Sequence, residues 1–85
     1  MKVYLQSGEE AQARRIDGNV LTLLSPKAFA PGSPIHFSVA LNDDSRSFEG
    51  RTIGSKRVDP EHFEVRLRFV NLQRADRELL LQELV

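Results

Sequence analysis

The chain has 85 residues, and its 12 basic and 12 acidic side chains give a net charge of zero at pH 7. A chain of this length forms one domain with room for a single small core. With no cysteine it has neither disulfides nor a thiolate metal site, and the balanced charge provides no general attraction for DNA or an anionic membrane.

The first half of the chain predicts four strands, which are joined by two turns and a loop. The strand signals cover residues 2–6, 11–16, 20–24 and 35–41. Residues 7–10 supply the first turn, and the Asp-Gly-Asn run at 17–19 tolerates the positive φ angles of a tight hairpin. The segment 25–34 contains three prolines, which cannot donate to a sheet ladder, so it is predicted to be a loop with residues 28–30 tucked inward. The fourth strand is predicted to end at 42–45.

The fifth strand is predicted over residues 47–57. Its apolar residues Phe48 and Ile53 do not fall on one face of a regular strand. Gly50 lies between them and is predicted to form a β-bulge that restores the register. Gly54 is predicted to form a second bend.

A turn at 58–61 leads into the sixth strand, in which apolar side chains occupy every second position: Phe63, Val65, Leu67 and Phe69. From Leu72 the apolar repeat changes to the spacing of a helix, and Asn71 is predicted to be its N-cap. Six antiparallel strands hide their edges best in a barrel. The predicted fold is therefore mainly β, a six-stranded antiparallel barrel with a C-terminal α-helix that covers one mouth or seam.

Six segments carry a resemblance to a known family, and they occur in the order 13–17, 20–26, 29–35, 50–54, 64–72 and 77–81. From about Ala11 onward the chain resembles a PilZ domain. The resemblance implies the same six-stranded barrel with a C-terminal helix. It also implies a place in bacterial cyclic di-GMP signalling, which controls motility, pili or exopolysaccharide. The short, soon polar N-terminus and the lack of a membrane-length apolar run favour a cytoplasmic location.

The ligand motifs of the PilZ family are largely missing from this chain. Members hold cyclic di-GMP with an Arg-x-x-x-Arg segment and an Asp/Asn-x-Ser-x-x-Gly segment, but no two arginines here stand four apart and the second motif is shortened. The residues that remain at the corresponding corner are Arg14, Arg15, Asp17 and Gly18. The resemblance implies that Arg14 or Arg15 contacts a phosphate and Asp17 a guanine. The residue types alone favour a solvated strand end with a charged turn.

Without its ligand motifs, a PilZ-like chain is expected to act as a non-catalytic regulatory or adaptor module through protein–protein contacts. The candidate partner surface consists of basic residues on the last two strands: Arg51, Arg66 and Arg68, with Lys56 and Arg57 nearby. It would meet an acidic partner, although Glu49 and Glu64 dilute it and a solvated sheet face is the alternative. A second candidate patch, or else core, is formed by the apolar end of the helix: Leu79, Leu80, Leu81, Leu84 and Val85.

Other functions have less support in the sequence. A direct cyclic di-GMP receptor is the alternative to an adaptor, and no cofactor is required by either function. An oligonucleotide-binding barrel would need base-stacking aromatics, for which the candidates are Tyr4, Phe37, Phe48, Phe63 and Phe69; most of these alternate in step with core residues. The isolated His36 and His62 predict neither a metal site nor a catalytic constellation, so no enzyme activity is expected.

Overall fold

The computed structural model describes residues 1–41 and 43–84. Six strands are followed by one helix: β1 Lys2–Leu5, β2 Glu10–Asp17, β3 Val20–Ser25, β4 Pro34–Leu41, β5 Asp44–Asp59, β6 His62–Phe69 and α1 Arg74–Leu84. All neighbouring strands are antiparallel, and the order β1-β2-β3-β6-β5-β4 closes a barrel. The predicted barrel with its C-terminal helix is confirmed, and β5 extends beyond its predicted bounds at both ends.

The barrel interior is filled by the side chains that alternate inward along the strands. The buried apolar residues are Val3, Leu5, Ala11, Ala13, Leu21, Leu23, Ile35, Phe37, Val39, Leu41, Val65, Leu67, Phe69 and Leu80. The rings of Phe37, Phe48 and Phe69 pack against one another with centroids 5.6–6.0 Å apart, at the separations typical of stabilising aromatic pairs. The aromatic side chains of β4, β5 and β6 therefore hold adjacent strands together from inside the barrel.

The helix α1 covers one mouth of the barrel. Its residue Leu80 is fully buried and belongs to the core. Two polar contacts fix the helix to the strand ends at this mouth: Arg77 Nε donates to the carbonyl of Gly18 at 3.0 Å, and Arg46 Nη1 donates to Asp76 Oδ1 at 2.9 Å. Leu79, Leu81 and Leu84 are only half-buried, and Val85 of the predicted patch lies outside the described residues, as does Asn42 of the predicted strand end.

The predicted N-cap at Asn71 is wrong. The helix begins at Arg74, and the carbonyl of Gln73 accepts the first bond of the helix from the amide of Arg77 at 2.9 Å, which makes Gln73 the capping position. Asn71 instead has a φ of 56°, a left-handed conformation that Asn adopts more readily than most residues. It turns the chain out of β6 and toward the mouth that the helix covers.

The predicted β-bulge at Gly50 is also wrong. Gly50 lies in regular register between Ile35 on β4 and Phe69 on β6. The register shifts between Thr52 and Gly54 instead, near the second predicted bend. A Cβ at position 50 would lie 2.5 Å from Leu67 Cδ1 and 3.0 Å from the carbonyl oxygen of Arg68, so the glycine is needed for a close approach between strands.

The loop before β4 buries less than expected. Of the residues predicted to tuck inward, Ala28 and Ala30 are exposed and only Phe29 is half-buried. The backbone of Phe29 is held by the Ser55 hydroxyl, which accepts from its amide at 2.9 Å and donates to its carbonyl at 2.8 Å. Polar contacts with β5 and the packing of Phe29 against the core together fix the position of this loop.

The close approach at Gly50 predicts a matched pair of substitutions. Gly50→Ala should lower the free energy of unfolding by about 1–3 kcal/mol, because the added methyl group overpacks against Leu67 and backbone. Gly54→Ala is the control, since a Cβ there meets nothing within 4 Å. Urea unfolding measures both. An equal effect at the two positions would contradict the packing explanation.

Candidate functional site

The predicted ligand corner lies at the end of β2 and in the turn that follows. The register of β2 against β3 shifts between Ala13 and Arg15, so Arg14 is an extra, bulged residue. In a regular strand Arg14 and Arg15 would point to opposite faces, but here both are exposed. Arg15 Nε lies 3.9 Å from Asp17 Oδ2, and Gly18 has a φ of 58°, as the tight turn requires.

The predicted partner surface lies on the outside of β5 and β6. Arg68 is directly opposite Arg51 on β5, and Arg66 is opposite Gly54. All three arginines are exposed. Arg66 and Arg68 point outward because the residues that alternate with them, Val65 and Leu67, fill the core, and Arg51 shares their face through its pairing with Arg68.

The barrel brings these two predicted sets onto one outer surface. Arg15 pairs in register with Thr22 on β3, and Thr22 pairs with Arg66 on β6. Neighbouring strands lie about 4.8 Å apart, so the backbones of Arg15 and Arg66 are about 10 Å apart across β3. We call this surface the arginine face, and it consists of Arg15, Arg51, Arg66 and Arg68.

The arginine face forms few ion pairs, although Glu49 and Glu64 lie two residues before Arg51 and Arg66 on the same strands. Within residues 1–41 and 43–84, no salt bridge or side-chain hydrogen bond involves Arg66 or Arg68. In the same residues, Arg51 Nη1 donates only to the carbonyl of Gly32, at 3.3 Å. Arg15 forms a long, exposed salt bridge with Asp17, with 3.9 Å between Nε and Oδ2. Arg51 and Arg68 are like charges directly opposite each other on neighbouring strands, and such pairs destabilise a sheet. The face is therefore a local positive charge on a neutral chain.

The basic surface contains fewer residues than the sequence predicted. Arg57 is held locally, because its guanidinium lies 4.8 Å from the centroid of the Phe63 ring and donates to the carbonyl of Pro60 at 3.0 Å. Lys56 is directly opposite Glu64. Arg57 is engaged with its own turn and Lys56 faces an acidic residue, so neither is counted in the arginine face.

Sequence reasoning missed Arg77, which the helix places at the ligand corner. Its Nε donates to the carbonyl of Gly18, although the two residues are 59 positions apart in the chain. No local pattern indicates this contact, because it depends on the path of α1 across the mouth. Arg77 fixes the turn that carries Asp17 and Gly18.

Two carboxyl groups with lowered pKa values lie in turns at the other end of the barrel. The Ser7 hydroxyl, and then Lys27, lower the pKa of Glu9 in the turn between β1 and β2. The backbone amide of Glu61, and then His62, lower the pKa of Asp59 in the turn between β5 and β6. Both carboxylates stabilise hairpin turns by accepting hydrogen bonds.

The histidines and aromatic side chains have local structural partners. His62 Nδ1 lies 2.9 Å from Asp59 Oδ1, and His36 Nδ1 lies 4.0 Å from Glu49 Oε1. In the part of the chain that the structure describes, no group of three or more His, Cys, Asp or Glu side chains is placed to hold a metal ion. Three of the predicted base-stacking rings pack together inside the barrel, whereas Tyr4 is exposed.

Comparisons with protein-family models, with curated proteins and with solved structures find no match. No helix among residues 1–41 and 43–84 is long and apolar enough to cross a membrane.

The facing arginines predict an effect on stability. Arg68→Gln should raise the free energy of unfolding by about 0.2–1 kcal/mol, because it removes the repulsion with Arg51. The control is Arg57→Gln, which should lower it by about 0.5–1 kcal/mol through loss of the contact with the Phe63 ring. Urea unfolding at low salt measures both. A lower free energy of unfolding for Arg68→Gln would mean that Arg68 stabilises the fold, which contradicts the predicted repulsion.

Proposed function

We propose that the chain is a non-catalytic adaptor that binds an acidic segment of a protein partner through the arginine face. The observation that carries this proposal is the direct pairing of Arg51 with Arg68, next to Arg66, when none of the three forms a salt bridge within residues 1–41 and 43–84. An arrangement that opposes folding is expected at a functional site. A partner that supplies carboxylates would relieve the repulsion.

The chemistry of arginine suits this role. Its planar guanidinium makes bidentate contacts with carboxylates, and it is enriched at protein interfaces and among the residues that dominate binding energy. The arginines project from strands of a closed barrel, so their backbones are held rigidly before a partner arrives. Little ordering of the main chain is then needed on binding.

The resemblance to the PilZ family supports a physiological setting for the adaptor. The order of the matching segments and the six-stranded barrel with its C-terminal helix both agree with that family. The proposed setting is the bacterial cytoplasm, in the cyclic di-GMP-linked control of motility, pili or exopolysaccharide. A fold hosts many functions, so the setting rests on the resemblance while the binding mode rests on the arginines.

The adaptor proposal is tested by titrating the protein with a decaglutamate peptide and following the amide resonances by NMR. We expect saturable shifts at Thr22, Arg51, Arg66 and Arg68, with an affinity that falls as salt is added. The double variant Arg66→Gln/Arg68→Gln should bind at least about tenfold more weakly, which corresponds to about 1.4 kcal/mol.

The matched control removes the same charge elsewhere. Lys2→Gln/Arg74→Gln changes two exposed basic residues that lie off the arginine face, and it should bind decaglutamate within about twofold of the unmodified protein. If both double variants lose affinity equally, the peptide responds only to net charge and the arginine face is not a docking site.

Direct binding of cyclic di-GMP is the second candidate function, and the bulge at Arg14 favours it. The bulge exposes Arg14 and Arg15 together beside Asp17 and Gly18, which supplies two guanidinium groups for phosphate contacts. An NMR titration with cyclic di-GMP at low and then moderate salt should give localised, saturable shifts at these four residues. An absence of shifts at high ligand excess would exclude the isolated chain as a receptor and leave the adaptor proposal unaffected.

A further inference from the structure

A groove with a volume of about 630 Å³ lies on the outer surface of β4 and β5, on the side of the barrel that β1 closes. Its shape follows from side-chain size in one row across three strands. Tyr4 on β1 pairs with Ser38 on β4, and Ser38 pairs with Ser47 on β5. The two serines form a low floor, while Tyr4 forms one wall and residues 70–73 form the other.

Exposed apolar side chains converge on this groove. Among the described residues, the large hydrophobic side chains that are exposed are Tyr4, Val58 and Val70, at 43%, 47% and 36%. Tyr4 and Val70 both line the groove, and Phe37 and Phe48 reach its base from the core. Exposed apolar surface with a polar rim is typical of a binding site, and the volume is within the usual range for ligand pockets.

The charge of the groove is opposite to that of the arginine face. The lining residues include the carboxylates of Glu49 and Asp76 but no lysine or arginine, although the chain contains 12 basic residues. Asp76 already pairs with Arg46 at 2.9 Å. Among the described residues, the one salt-bridge partner of Glu49 is His36, at 4.0 Å, so its carboxylate can accept a cationic ligand.

The backbone at the groove is already paired. The amide of Gln6 donates to the carbonyl of His36 at 3.0 Å, and the amide of Val70 donates to the carbonyl of Glu49 at 2.9 Å. A ligand therefore has to be recognised by side chains, and addition of a further strand to the sheet is disfavoured. The groove is also open to solvent, which suits an extended chain better than an enclosed small molecule.

We propose that this groove binds a basic, partly apolar segment of a second protein partner. An aromatic or aliphatic side chain of that segment lies between Tyr4 and Val70 over the serine floor, and an adjacent arginine or lysine pairs with Glu49. The proposal rests on the groove residues and not on the arginines, although Glu49 lies two residues from Arg51 on the outward side of β5.

The probes for this proposal are the capped dipeptides Phe-Arg and Phe-Glu, which share an aromatic ring and differ in charge. NMR titration with Phe-Arg should give saturable amide shifts at Tyr4, Ser38, Ser47, Glu49 and Val70. Phe-Glu should bind at least about fivefold more weakly, because it places a carboxylate near Glu49. Equal binding of the two dipeptides, or shifts confined to other surfaces, would overturn the proposal.

Two pairs of variants test the geometry. Ser38→Leu should fill the floor and abolish Phe-Arg binding, while Ser45→Leu, the same change at an exposed residue outside the groove, should leave it unchanged. Glu49→Gln should remove the preference for Phe-Arg over Phe-Glu, and Glu61→Gln, at an exposed residue in the turn between β5 and β6, should retain it. If Ser38→Leu fails to fold, the comparison of Glu49→Gln with Glu61→Gln still tests the proposed groove.

A second copy of this chain is the competing occupant. Groove resonances that shift with protein concentration in the absence of peptide, and that stop shifting in the Glu49→Gln variant, would assign the groove to self-association. That result would overturn the proposal of a separate basic partner. Concentration-independent groove resonances, together with Phe-Arg binding, would support it.

Discussion

The alternation of inward and outward side chains around a closed barrel, interrupted where the register shifts on β2 and β5, is the constraint on which the rest of the structure depends. Closure leaves no free sheet edge, and α1 fills one mouth with Leu80, so binding has to use the outward positions or the remaining connections. Arg66 and Arg68 project outward because Val65 and Leu67 are needed in the core. The same rule puts Ser38 and Ser47 outside β4 and β5, where their small size forms a groove.

The alternation is local in sequence, which explains what could be predicted of the fold. The patterns of β4 and β6 identified their inward faces, and the antiparallel barrel followed from six such strands. The predictions for Gly50 and Asn71 were wrong because contacts with residues distant in the sequence determine the local structure there. Gly50 is required by the side chain of Leu67, and a residue such as Asn71 suits both an N-cap and a left-handed turn, so only the path of the chain toward the mouth decides between them.

The candidate site was predictable as separate pieces. Arg51 could be placed beside Arg68 because a hairpin joins their strands, and Arg14 and Arg15 stood out through the family resemblance. Arg15 and the arginines of β5 and β6 lie on one surface because β3 pairs with β6. These two strands are far apart in the chain. The groove could not be predicted from the sequence for the same reason. It depends on the pairing of β1 with β4 and on the course of residues 70–73.

A net charge of zero conceals an uneven distribution of charge. Several acidic groups pair with basic ones that hold the structure together, including Glu9 with Lys27 and Asp76 with Arg46, and these pairs lie at turns and at the helix. On the outward faces of the strands, the arginine face carries positive charge and Glu49 carries negative charge. Added salt would screen the repulsion between the facing arginines and would equally screen their attraction for a carboxylate. Salt is therefore expected to act in opposite directions on folding and on the proposed association.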